Sequence, residues 1–157
     1  MSMSDLERAL DLIGQHAEEA SFIGPRTELL VRTAEKALGL RLPPTYRHFV
    51  GALGAGSFGA AEIYGVIDTD FELSSVPDAI WATLRARDEH ELPADLVMLG
   101  RAPDEVICLQ ILASGEEGPV LSMNLGEDPA RIGTQRLAPD FGAYFLGLVE
   151  EELEGVR

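Results

Sequence analysis

A chain of 157 residues, 46% of them hydrophobic, is long enough to bury one core without metal or disulfide staples. Its formal charge of -15 repels nucleic-acid phosphates and anionic lipid, which counts against direct binding to nucleic acid or to a membrane surface. The single Cys108 excludes an internal disulfide, and the run Val106-Ile107-Cys108-Leu109 predicts a buried, inert thiol.

Ser4 and Glu7 have capping-box spacing, and Leu6, Ala9, Leu10, Ile13 and Ala17 recur at helical intervals, which predicts a first helix over residues 5–18. Pro25 and Thr27 open a second helix, in which Leu30, Ala34, Ala37 and Leu38 share a face and Gly39 takes the left-handed cap. Pro43 or Pro44 starts a third, lined by Tyr46, Phe49, Val50 and Leu53 and ended by Gly54. Three helices are therefore expected before any strand.

The period then changes. Residues 61–66 read as a short strand, and Ile80, Trp81 and Leu84 place a helix near 78–89. Strands are predicted at 96–99, 106–112 and 120–125, separated by Pro103-Asp104 and by Gly115-Glu116-Glu117-Gly118, in the manner of an antiparallel meander. After Pro139-Asp140, Phe141, Tyr144, Phe145, Leu148, Val149 and Leu153 define an amphipathic closing helix. The fold class is α+β: N-terminal helices, a mainly antiparallel sheet of about four or more strands, and a C-terminal helix packed on it. With no repeat, low-complexity tract or dividing linker, residues 1–157 are expected to form one domain. No basic and apolar leader opens the chain and no apolar run has membrane-spanning length, so a cytoplasmic location is expected.

The sharpest chemical motif is Gly54-Ala55-Gly56-Ser57-Phe58-Gly59, a literal G-x-G-x-x-G. A dinucleotide fingerprint follows a strand and opens a helix, so that pyrophosphate meets the helix N-terminus. Here the order is reversed, and the string reads as a helix cap followed by a turn into the sheet. A small nucleotide-binding domain rests on that string alone. His16, His48 and His90 have no partners at metal-ligand spacing, and Cys108 lacks the electropositive setting of a reactive thiol. No basic residues interleave with Trp81 or the aromatic residues of the last helix, which reads them as core rather than a base-stacking platform. The expectation is a chain with no catalytic residues, cofactor or metal. Residues 61–130 carry 15 acidic side chains against Arg85, Arg87 and Arg101, so -12 of the -15 lies there. Such a field keeps a protein soluble, and it also steers basic proteins toward it.

The run Leu38-Gly39-Leu40-Arg41-Leu42-Pro43-Pro44-Thr45-Tyr46-Arg47-His48-Phe49-Val50 is followed by the glycine string and by Glu62-Ile63-Tyr64-Gly65. Together they resemble the signature of the SUKH superfamily: a helix ending in Leu-Gly, Leu-Pro-x-x-Tyr-x-x-Phe-Leu, a glycine-rich turn, and a strand carrying Tyr-Gly. Residues 83–87, 92–100 and 141–148 resemble its later elements more weakly. The chain departs from the pattern at residues 101–105, where Gly-Asp is common, and has no tryptophan on the strand at 120–125.

The resemblance implies a non-enzymatic α+β fold. Bacterial members are largely immunity proteins that neutralise a secreted toxin, frequently a nuclease, by direct binding, whereas yeast relatives regulate cell-wall synthesis as interaction hubs. An acidic surface suits the masking of a basic nuclease groove. By motif position, the expected partner-binding residues are Glu62, Tyr64, Asp68, Asp70 and Glu72, joined by Asp104, Glu105, Glu116 and Glu117 from the later turns. Tyr46, Phe49, Gly56, Phe58 and Gly65 are expected to maintain the fold.

Overall fold

The computed structural model describes residues 2–71, 75, 77–101, 105–124 and 134–155. In chain order these form α1 (Ser2–Gln15), a single 3-10 turn (Ala17–Glu19), β1 (Ala20–Phe22), α2 (Glu28–Leu38), α3 (Pro44–Leu53), β2 (Gly56–Phe58) and β3 (Ala61–Ile63). Then come α4 (Ala79–His90), β4 (Leu96–Arg101), β5 (Val106–Gln110), β6 (Val120–Met123), β7 (Gln135–Ala138) and α5 (Phe141–Gly155).

The helix ends show why these segments form. Thr27 Oγ1 accepts the Leu30 N–H to cap α2, which closes at Gly39 with φ +72°. Asp78 caps α4 by accepting from Ile80 and Trp81 N–H. α4 ends at Glu91, a non-glycine residue held at φ +55° in the left-handed region. α1 begins at Ser2, two residues before Ser4, so the capping-box reading of its start is corrected.

A second correction concerns order. β1 lies between α1 and α2, so a strand precedes the second and third helices. Three residues are too few to display a period of two, and β1 exists because it pairs along its whole length with β2. Instead of one sheet there are two, β1-β2-β3 and β4-β5-β6-β7, with all pairings antiparallel. A bulge in β4 between Met98 and Gly100 brings them together. The Leu99 carbonyl accepts the Tyr64 N–H at 2.8 Å, and Thr83 Oγ1 accepts the Met98 N–H at 2.9 Å. The free edge of β4 is thereby covered by the end of β3.

α5 packs on β3 and β7, hence on both sheets, and lies along α1. Its Phe141, Phe145 and Val149 face inward at four-residue intervals. Phe22, Tyr46, Phe49, Phe141 and Phe145 form one aromatic cluster with ring centroids 4.9 to 6.2 Å apart. On the other side α4 packs against β4, whose residues Leu96 to Gly100 are buried on both faces.

The glycine string builds part of this frame. Gly54 caps α3, Gly56 lies in β2, and Gly59 (φ +60°) sits in the two-residue turn from β2 to β3. A Cβ on Gly56 would strike the Ser21 carbonyl, and one on Gly65 would strike that of Gly54. The string opens no helix, and its glycines serve close backbone packing. Tyr46, Phe49 and Phe58 are likewise buried, as their assignment to the fold requires.

Candidate partner-binding face

Alternation along β3 turns Ile63 inward and leaves Glu62 exposed, opposite Ser57 on β2. The hairpin that presents Glu62 is fixed from α5, where a Glu152 carboxylate oxygen accepts the Ala60 N–H at 2.6 Å. Tyr64 follows, and it is an anchor more than an outward contact. Its carbonyl accepts a hydrogen bond from the buried Tyr46 hydroxyl at 2.8 Å, and its ring is 4% exposed. Burial raises the pKa of the Tyr64 phenol, the Glu62 charge adds to the rise, and the Arg101 charge opposes it.

Beyond Val66 the chain is tied to α2's approach by Arg26, whose guanidinium donates to the Ile67 carbonyl at 2.8 Å. Asp68 and Asp70 are exposed on the loop that leaves this tie, and Asp68 Oδ1 accepts the Thr69 N–H. Glu105 is half-buried immediately before β5, and Glu116 is exposed in the loop after it. Glu72 and Asp104 lie outside the described residues, as do Leu125 at the predicted end of the third meander strand and the Pro103-Asp104 turn.

The acids do not form one patch. Glu105 and Glu116 flank opposite ends of β5, which at the strand rise separates them by about 16 Å or more. Glu116 and Glu117 also have opposite roles although adjacent. Both Glu117 carboxylate oxygens are engaged by Thr45, one accepting its N–H at 3.0 Å and the other its hydroxyl at 2.6 Å. The α3 N-cap is Pro43, which has no side chain to offer, so Glu117 reaches in from the β5–β6 loop to satisfy that helix end.

Within residues 61–130, Arg85–Glu89 is the one ion pair formed between described residues, at 2.8 Å. Arg87 spends its donors on the Leu38 and Ala94 carbonyls, which ties α2 to the α4–β4 connection. Outside that segment Arg47 on α3 pairs with Glu28 and Glu35, and Arg32 pairs with Glu28. Glu62, Glu105 and Glu116 form no ion pair among the described residues; Glu62 and Glu116 are exposed and Glu105 is half-buried.

The groups set aside on sequence grounds sit as follows. Cys108 is fully buried, and burial pushes its thiol up to about 12. His48 and His90 are exposed, and His16 is half-buried. Among the described residues no cluster of His, Cys, Asp or Glu could hold a metal ion, and no helix is long and apolar enough to cross a membrane. Sequence reasoning missed Glu152, the capping role of Glu117, and a cleft lined by Tyr64, Trp81, Arg85 and Arg101. Only Asp78 had a legible signal, as an Asp just after Pro77 and before an apolar helical run.

Fold and surface thus define a small α+β domain with an aromatic core and exposed acids on its sheet-side loops. The chain belongs to the SUKH superfamily: the family model SUKH_5, described as SMI1-KNR4 cell-wall, matches residues 6–149. That membership places it among generally non-enzymatic immunity and regulatory domains that bind protein partners. No curated protein matches the chain.

Proposed function

We propose that residues 1–157 act as one SUKH-like domain, a cytoplasmic immunity protein that occludes a cognate secreted or contact-delivered toxin domain with a basic surface, such as a nuclease. The observation that supports this most is the negative charge of residues 61–130, where Glu62, Glu105 and Glu116 form no ion pair among the described residues. Glu62, Asp68, Asp70 and Glu105 are assigned to the principal face and Tyr64 fixes the strand beneath it; Glu72 and Asp104, outside the described residues, are assigned to it by motif position alone. Glu116 offers a second point of contact at the far end of β5, on a loop that Glu117 holds in place. Electrostatics supplies encounter rate and register, and a few buried contacts supply most of the affinity.

Co-expression with the toxin domain encoded beside this gene tests the reading. A one-to-one complex that blocks toxicity, and that Glu62→Lys with Glu105→Lys weakens, is the expected result. No complex and no protection from a folded immunity candidate contradicts it.

A regulatory scaffold is the second reading, favoured by the cell-wall description of the matching family model. It uses the same face for a housekeeping partner. A solitary gene, with protection of no toxin, would select it.

A further inference from the structure

Between α4 and the junction of β3 with β4 lies a cleft of about 160 Å³. Two arginines line it, within a segment whose other charges are overwhelmingly negative. Arg85 is already engaged: it donates to Glu89 Oε1 at 2.8 Å and its guanidinium lies 5.1 Å from the centroid of the Trp81 ring. Arg101 is exposed at the end of β4, and no carboxylate lies within ion-pair distance of it among the described residues. The Tyr64 hydroxyl also makes no hydrogen bond among the described residues, although its ring is almost fully buried. A phenol and a guanidinium that line one cleft, neither hydrogen-bonded to a described residue, can donate together to one acceptor. Met98 and the indole of Trp81 give the cleft its apolar wall.

We propose that this cleft binds a single carboxylate carried on a small apolar or aromatic body. Arg101 pairs with the carboxylate, Tyr64 donates its hydroxyl proton to it, and Trp81 and Met98 pack on the body. Size excludes a nucleotide, because clefts for drug-sized ligands begin near roughly 300 Å³. Charge disfavours a polyanion: Glu89 neutralises Arg85, which leaves Arg101 as the one arginine of the lining without an ion pair among the described residues, and the Glu62 charge reaches Tyr64 as well. A planar carboxylate also matches the guanidinium fork in two parallel hydrogen bonds. The inference stands apart from the toxin reading, since it concerns different donors and a ligand of opposite charge. The carboxylate belongs either to a free small acid or to the C-terminus of a polypeptide.

Trp81 is the protein's one tryptophan, so intrinsic fluorescence reports on this cleft alone. Titration with phenylacetate is expected to give a saturable change with Kd on the order of 1 mM, while neutral phenylacetamide gives none. Arg101→Gln, at an exposed position, raises Kd by roughly tenfold or more, and Tyr64→Phe by a smaller factor. Arg136→Gln, exposed on β7, leaves it unchanged. A pentapeptide ending in Phe, compared as free acid and as amide, identifies the source. Binding of the acid about tenfold tighter than phenylacetate assigns the cleft to a chain terminus, and equal binding assigns it to a free acid. Absence of a saturable signal up to about 10 mM, an equal response to phenylacetamide, or an unchanged Kd in Arg101→Gln overturns the proposal.

Discussion

The two sides of this molecule solve opposite problems. Around α1, α3 and α5, rings from Phe22, Tyr46, Phe49, Phe141 and Phe145 interlock, and the one buried hydroxyl among them is satisfied by the Tyr64 carbonyl. Across residues 61–130 the chain instead accumulates like charges, and among the described residues Glu62, Glu105 and Glu116 form no ion pair. A side whose contacts are mutual resists change. On the other side the acids tied to helix ends, Asp78 and Glu117, contribute to folding, and the exposed ones are available to an interaction surface.

Substitutions on the two sides sharpen the contrast, and the largest effect belongs to the aromatic cluster. Phe49→Ala removes a fully buried ring that touches four others and is expected to destabilise the fold by about 3–5 kcal/mol in urea unfolding. The next effect divides two neighbours in one acidic loop. Glu117→Ala strips the α3 end of both its acceptors and costs about 1–2 kcal/mol, whereas Glu116→Ala stays within about 0.5 kcal/mol. Equal effects at the two positions would break the division between structural and surface acids. The smallest effect is a gain: Glu91→Gly relieves the left-handed backbone at the end of α4 and is expected to stabilise by about 1 kcal/mol or less in thermal unfolding.

The sequence makes the helices legible because each repeats its apolar face over several turns, as Phe141, Phe145 and Val149 do in α5; in α2 Ala34 and Leu38 are buried as expected, but Val31 completes the face and Ala37 is exposed. β1, β2 and β7 escape notice for the opposite reason. At three or four residues each, they are strands through their partners rather than through any pattern of their own. The junction of the two sheets lies at the bulge in β4 around Leu99, a register event that no local pattern announces.

The candidate face is legible only as charge. Composition locates the acids, but Glu117 becomes structural through Thr45, 72 residues away in the chain, and no local pattern distinguishes it from Glu116. The cleft is hidden for the same reason. Tyr64, Trp81 and Arg101 come from β3's end, α4 and β4, and their convergence is a property of the packing alone.

The most direct test of the central claim measures stability and association together in the charge-reversed protein Glu62→Lys with Glu105→Lys. Urea unfolding gives the first quantity, and stopped-flow association with the cognate basic domain at low and moderate salt gives the second. The account predicts stability within about 0.5 kcal/mol of the parent at each position and an association rate roughly tenfold lower at low salt, the gap closing as salt rises. An unchanged rate at every salt concentration, with the complex intact, would contradict it and leave the acidic side as a solubility feature.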